Sequence, residues 1–301
     1  MSKYSGVRRL SFGDRAFGVS NVIFLTFVTI VTLVPIFIVL LTSFTPNLDI
    51  LRNPTSVVVI PGRITFDNFA WLFRGSRRLI DGYILTIIRT IIGTGVNILI
   101  TVLTAYPLSK KNLPFRKFLM MLFVFTMIFS GGLIPTFMVV REMRLLNTFW
   151  AMIIPGALSV YFMIIMRNFF SAIPEELAES AHMDGASDIT ILFKIILPVS
   201  LPAIAAISLF YAVWHWNEFM DAVIFITDRH LWPLQMLLRE ILVSSSVAEL
   251  ALGGAIIDPN RPGFFVLANA VIVVSAIPII CVYPWLQKYF VKGLLLGSVK
   301  G

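Results

Sequence analysis

The chain has 301 residues, of which 58% are hydrophobic and only 13% charged, and its mean hydropathy is +0.89. A soluble domain carries about 25% charged residues and cannot cover so much apolar surface, so the composition describes an integral membrane protein, which the long apolar runs below make all-α, and excludes a disordered chain. One cysteine, Cys281, and three histidines exclude a disulfide framework and a cysteine-based metal centre. The net charge of +8 sits mostly at the ends of apolar runs, where membrane topology explains it better than a nucleic-acid partner does.

Six stretches reach the roughly 20 apolar residues a helix needs to cross a bilayer: Val19 to Phe44, Tyr83 to Tyr106, Phe118 to Val140, Thr148 to Phe170, Val199 to Phe219 and Phe264 to Gln287. They are apolar nearly all round, and in lipid only a helix satisfies its own backbone. The first run is too long for a signal sequence and has no small-residue cleavage site after it, so it is expected to stay as an uncleaved span. With the N-terminus inside, the cytoplasmic segments carry thirteen Lys and Arg, and the outer segments carry ten, spread over longer loops. The densest clusters flank span one and link spans two and three, which places both termini in the cytoplasm. Arg89 is left inside span two, where it either snorkels outward or faces the interior. The expected organisation is a tail, first span and outer loop over 1–82, a five-span core over 83–290, and a cytoplasmic tail over 291–301.

Further along the chain, Gly131, Gly132 and Pro135 interrupt span three. Local unwinding there is tolerable only if the freed carbonyls face a cavity or protein; the alternative is close helix packing through small residues. Pro35, Pro155, Pro202 and Pro278 read as kinks. In the loop between spans four and five, Pro174 suits a first helical turn, with Glu175 and Glu176 favourable against the helix dipole. Gly185 ends that helix. Ala186 to Ile196 reads as a second short helix with Ile189, Leu192, Phe193 and Ile196 on one face. Two short amphipathic helices thus meet at a glycine corner, and the pattern fits either a docking element for a soluble partner or a plain solvated connector. Trp214, His215, Trp216, Asn217, Glu218 and Asp221 cluster at the outer end of span five. Trp216 and Asn217 there suit a sugar contact, and an interfacial aromatic belt is the competing reading. Gly253 and Gly254 in the last outer loop allow close backbone approach to a ligand.

Glu179-Ser180-Ala181, three residues, Gly185, nine residues, Ile195, one residue and Leu197-Pro198 resemble the permease signature of bacterial ABC importers, Glu-Ala-Ala-x3-Gly-x9-Ile-x-Leu-Pro. Ser180 stands where Ala is usual. Asp184-Gly185-Ala186, Ile173-Pro174 and Phe193 look like the carbohydrate-uptake branch, the smaller permease subunit of maltose-type importers. Phe129 to Pro135, Leu145-Leu146-Asn147-Thr148, Ile165 to Phe170, His215-Trp216-Asn217 and Trp232-Pro233-Leu234-Gln235 resemble permeases for oligosaccharides of uronic-acid polymers, of the pectin-fragment and alginate type.

That resemblance implies a MetI-like, six-span permease of the bacterial cytoplasmic (inner) membrane, with a coupling helix in which Glu179, Ser180, Ala181, Asp184, Gly185 and Ala186 meet an ATPase. The implied partners are a homologous second permease, two ATPase subunits and an extracytoplasmic solute-binding protein that delivers the oligosaccharide; the loop with Gly253 and Gly254 would touch that protein. ATP and Mg belong to the ATPase, since this chain has no Gly-x4-Gly-Lys-Ser/Thr loop. No catalytic constellation lies at membrane depth, so the chain is expected to be no enzyme and to hold no cofactor or metal. The competing readings are an ABC permease for another solute class and a membrane enzyme or scaffold.

Overall fold

The computed structural model describes residues 12–46, 49, 62–74, 77–251 and 263–298. Among the described residues every regular element is helical. The chain falls into two compact units, residues 1–72 with 245–274, and residues 73–244 with 275–301.

In the first unit, α1 (Phe12–Ser43) is a 32-residue apolar helix with no part of its spanning window buried. Phe17, Ile23 and Phe27 stand fully outward, as on a face that meets lipid or another subunit. Its C-terminal carbonyls would be orphans. Asn68 on α2 (Asp67–Phe73) meets them, its Nδ2 donating to the Ser43 and Thr45 carbonyls at 2.9 and 3.0 Å. Phe44 closes the turn against Phe66 and Phe69, with ring centroids 5.3 and 5.0 Å apart.

The second unit is built on α3 (Arg77–Ser109), with α4 (Arg116–Ile128), α5 (Leu133–Glu142), a 3-10 turn (Phe149–Met152), α6 (Val160–Ser171), α7 (Glu176–Met183), α8 (Asp188–Val199), α9 (Leu201–Asn217) and α10 (Met220–Phe225). A second 3-10 turn (Arg229–Leu231) follows, and α11 (Leu234–Ala251) starts in this unit; α12 (Phe264–Ser298) ends in it. Helix α3 packs along α6 and α9. Val102, Ala105, Met163, Met166, Ile207 and Tyr211 fill the space between them and are at most 2% exposed. By contrast α4 buries no residue at all.

Three helices are long and apolar enough to cross a membrane unaided: α1, α3 and the stretch Phe264–Val282 of α12. Span three is interrupted where the glycines stand. Helices α4 and α5 are bent by 115° across the break, and Gly132 has φ +85°, a backbone conformation that favours glycine. The expectation of one continuous helix over Thr148 to Phe170 is corrected. That stretch is a 3-10 turn, an irregular run over 153–159, and only then the 12-residue α6. Pro155 has no N–H to give a helix and drives Ile154 away from helical backbone. Span five starts after an 84° bend between α8 and α9, with Pro198 and Pro202 on either side of it, and ends at Asn217 rather than Phe219.

Candidate functional site

Two constructions stand out in the second unit: an exposed elbow at one end of α3, and a buried polar seam running towards the other.

The elbow is made by α7, Gly185 and α8. Ala178 turns inward, 5% exposed, and roots α7 on the bundle core. The helix then stops in a Schellman motif. Gly185 N–H donates to the His182 carbonyl at 2.9 Å and Ala186 N–H to the Ala181 carbonyl at 2.9 Å, with Gly185 at φ +81°. Ser187 caps the next helix, its Oγ accepting from Thr190 N–H at 3.3 Å. Helix α8 runs through a π-helical turn over Leu192–Ile196, where Pro198 cannot donate the bond a regular helix would direct to the Lys194 carbonyl.

The expected single apolar stripe divides in two. Leu192 and Ile196, with Ile191, are buried in the core, whereas Ile189 is 70% exposed and Phe193 47%. Met183 at the corner is 89% exposed. Thus Ala181, Gly185 and Ala186 shape the corner, with both alanines half-buried against the core. Glu179, Ser180 and Asp184 are exposed on its outer surface.

An exposed ion pair, Lys111 with Glu175 at 3.1 Å, and a contact of 3.4 Å between His182 Nε2 and Asp188 Oδ1 brace the elbow; at that exposure the ion pair contributes well under about 1 kcal/mol. The seat beneath is firmer. The Leu108 carbonyl at the end of α3 accepts from Arg116 Nε at 2.9 Å and Arg167 Nε at 3.1 Å, so cations close the negative end of that helix. A groove of about 660 Å³ opens between this turn and the elbow, lined in part by Lys110, Lys111, Glu179, His182 and Ile189.

The seam runs along one face of α3, where Gly82, Thr86, Arg89, Gly93, Asn97 and Thr101 are all buried. Steps of three and four residues keep them on one face. Arg89 faces the interior, with no exposed surface. Its Nη1 donates to the Glu218 carbonyl at 2.6 Å, and its Nη2 donates to the Met152 carbonyl at 3.0 Å and to Asp221 Oδ2 at 3.1 Å. Asn97 Nδ2 donates to the Gly156 carbonyl at 2.8 Å, while its Oδ1 lies 2.8 Å from His215 Nε2. Tyr211 Oη accepts from Ser159 N–H at 3.1 Å and shares a hydrogen bond of 2.9 Å with Thr101. The side chains of α3 and α9 therefore satisfy the backbone left unpaired from Met152, the last residue of the 3-10 turn, through the irregular run 153–159, as buried backbone requires. Helices α3 and α9 approach closely because Gly93 has no side chain; a Cβ there would collide with the His215 ring.

Beyond the seam lies a clasp. Asn147 N–H donates to the Phe225 carbonyl at 3.0 Å, and its Oδ1 accepts from Thr227 N–H at 2.6 Å, Thr227 Oγ1 at 2.7 Å and Asp228 N–H at 3.2 Å. Thr86 Oγ1 accepts from Leu234 N–H at 2.8 Å. Asn147 and Leu234 belong to two of the short motifs in the sequence, and both serve the same joint. Of the seam, the sequence singled out Arg89 and, in the cluster at the end of span five, His215, Glu218 and Asp221, but not Thr86, Gly93, Asn97 or Thr101; small and polar residues recurring every three or four positions of an apolar helix were the available signal.

Of the residues expected at a solute path, Trp216 is buried, 5% exposed, its Nε1 donating to the Ser275 carbonyl at 3.0 Å and its ring edge-on to Tyr83. Asn217 is exposed at the end of α9, its Nδ2 donating to the Val213 carbonyl of its own helix at 2.9 Å. Gly131 and Gly132 are exposed in the break between α4 and α5. Gly253 and Gly254 lie outside the described residues. Among the described residues no group of His, Cys, Asp and Glu is placed to hold a metal ion.

Comparison with known proteins agrees with this architecture. Residues 70–295 match the family model of binding-protein-dependent transport system inner membrane components. The chain is 42% identical over 283 residues to the polygalacturonan/rhamnogalacturonan transport system permease protein YtcP of Bacillus subtilis, covering 92% of this chain and 96% of that one. It is 40% identical over 287 residues to protein LplC of the same organism, covering 95% and 96%. Among solved structures, a bacterial ABC transporter involved in the import of the acidic polysaccharide alginate superimposes with a TM-score of 0.81 at 31% identity, covering 93% of this chain and 98% of that one. The chain belongs to the binding-protein-dependent transport system inner membrane components, and is a multi-pass ABC-transporter permease rather than an enzyme.

Proposed function

We propose that this chain is one half of the membrane channel of an ATP-driven importer for oligosaccharides that carry uronic acids, fragments of pectin or alginate type. It pairs with a homologous second permease, two ATPase subunits and an extracytoplasmic solute-binding protein, crosses the membrane six times and keeps both termini in the cytoplasm. The similarity to a polygalacturonan/rhamnogalacturonan permease and to an alginate importer supports the substrate class.

The observation that carries the mechanism is the elbow. Met183 and Ile189 project as apolar knobs, flanked by Glu179 and Asp184, while Ala178, Leu192 and Ile196 fasten the same element to the bundle. A grip on the knobs is a grip on the helices. Movement of the ATPase subunits displaces the elbow, and α8 passes the displacement through the 84° bend into α9 and so to the seam. The partner subunits bind and hydrolyse ATP; this chain contributes the handle and the path. Gly131 and Gly132 are assigned to that path, since exposed, non-helical backbone at membrane depth needs water or protein against it, and Asn217 is assigned to it as an exposed amide at the end of α9. The loop with Gly253 and Gly254 is assigned to the binding protein.

Replacing Met183 by Asp tests the handle. At 89% exposure the side chain supports nothing in the fold, so the variant inserts and pairs with its sister permease as wild type does. ATPase co-purification and sugar uptake fall by about tenfold or more, the loss expected for an apolar anchor at the centre of an interface. Wild-type co-purification and uptake would refute the docking role.

A further inference from the structure

Lysine and arginine are sorted along α3. At the elbow end of the second unit the described cations are Lys110, Lys111, Arg116, Lys117, Arg167 and Lys194, a mixture. At the other end, about 50 Å away by helix rise, every described cation is arginine. Two of these are engaged: Arg229 pairs with Glu240 at 3.3 Å, and Arg239 lies over the Phe219 ring at 4.8 Å. Arg77 and Arg78, beside the exposed Arg74, and Arg141 with Arg144 are exposed, and among the described residues no carboxylate lies within ion-pair distance of them. The two pairs flank one segment: the clasp from Asn147 to Asp228 holds the α5 side, and the turn Arg229–Leu231 packs on the α3 side. Topology does not account for them, because cations at this end oppose the orientation set by the other.

Arg144 adds a second observation. Helix α5 ends in the same Schellman pattern as α7, with Arg144 N–H donating to the Arg141 carbonyl at 2.9 Å and Leu145 N–H to the Val140 carbonyl at 3.1 Å. At α7 the left-handed position is Gly185. At α5 it is Arg144, with φ +56°. An L residue is less stable there than glycine, so the chain holds an arginine where its own backbone would favour none.

We propose that Arg77, Arg78, Arg141 and Arg144 form a carboxylate-binding rim on which the solute-binding protein docks through an acidic face, setting its cargo over the outer mouth of the channel. The inference rests on the reading of this end as the outer one and of the chain as an importer permease. Guanidinium groups suit the role: their planar fork takes a carboxylate with two hydrogen bonds, which a lysine ammonium cannot do. Each exposed pair is weak, but four on one rim steer encounter and fix register.

The test uses the whole transporter, both permeases and the ATPase, in neutral-lipid nanodiscs, titrated with its purified binding protein at low and high salt. Wild type loses affinity as salt rises. The fourfold Arg→Gln variant binds about tenfold or more weakly at low salt and loses most of the salt dependence, with basal ATPase unchanged. The fourfold Arg→Lys variant keeps the salt dependence without recovering the affinity. Arg144→Gly shares part of the loss while its thermal midpoint stays level or rises, which separates docking from folding. Salt-independent docking in wild type, wild-type affinity in the Gln variant, a lowered midpoint for Arg144→Gly, or salt dependence confined to discs of anionic lipid would each overturn the rim. Tight binding of free trigalacturonate to the rim without the binding protein would overturn it too, assigning the arginines to the sugar instead. If the binding protein fails to stimulate the wild-type ATPase at all, the importer reading fails, and the rim with it; stimulation with salt-independent docking removes the rim alone.

Discussion

Arg89 is the one charged side chain among the described residues with no exposed surface. Its three bonds reach the end of the 3-10 turn at Met152, the C-terminal carbonyl of Glu218 just past α9, and Asp221 on α10. A buried arginine of this kind contributes less by its charge than by what its absence would leave behind. Arg89→Met strands two buried carbonyls and a carboxylate, and should cost about 3–5 kcal/mol, the usual penalty for removing one member of a buried pair. Thermal denaturation of the purified transporter in detergent should show a large fall in midpoint, or no folded material. The double variant Arg89→Met with Asp221→Asn removes the uncompensated charge and should recover a measurable part of that fall. If the double variant is as unstable as the single one, the pairing with Asp221 is incidental and the carbonyls alone matter. Sequence composition could place Arg89 inside a span but not choose between lipid edge and interior; the choice belongs to Met152 and Asp221, 63 and 132 positions away along the chain.

At the scale of elements, the chain is mostly a set of helices that fail to be continuous, each for a readable cause. Gly131 and Gly132 break span three, Pro155 breaks span four, and Pro198 with Pro202 turns the entry to span five. The first and last were legible because glycine and proline act on their own backbone. The break in span four was read as a kink because its stability is non-local: a run over 153–159 without full helical bonding survives only where Arg89, Asn97 and Tyr211 replace the missing partners. The elbow shows the same division. Its glycine corner followed from the sequence, whereas α7 begins at Glu176, after Pro174 rather than with it, and α8 spans Asp188–Val199 rather than Ala186 to Ile196. Which apolar residues face the bundle did not follow, because Leu192 with Ile196 and Ile189 with Phe193 form two parallel stripes that spacing alone does not distinguish.

The two glycines of the span-three break can be separated by experiment. Gly132 has φ +85°, which an L residue adopts only under strain, while a Cβ on Gly131 would meet Pro135 Cβ at an ordinary 3.5 Å. Gly132→Ala should therefore destabilise by about 1–3 kcal/mol and reduce transport by straightening the 115° bend, and Gly131→Ala should be nearly silent. The reverse ranking in thermal midpoint and uptake would show that the bend is set by packing rather than by Gly132.

For the whole molecule the decisive property is polarity, one end of α3 bearing the elbow and the other the clasp and its arginines. Lys110, Lys111, Arg116 and Lys117 crowd the elbow end, and a dense basic cluster beside short loops is retained on the cytoplasmic side. The arginines at the opposite end are of similar number, so orientation rests on clustering rather than on the count. The chain offers a direct measurement, because Cys281 is its only cysteine. In a Cys281→Ser background, Met183→Cys and Arg144→Cys each place one thiol on an exposed site at opposite ends of the second unit. In intact cells lacking the ATPase subunits, a membrane-impermeant maleimide should label Arg144→Cys and leave Met183→Cys unmodified, and inverted membrane vesicles should exchange the two results. Labelling of Met183→Cys from outside would turn the elbow away from the compartment that holds ATP, and neither the coupling nor the cytoplasmic termini would stand. Labelling of both from the same side would mean instead that the bends in spans three, four and five carry the chain back before it crosses.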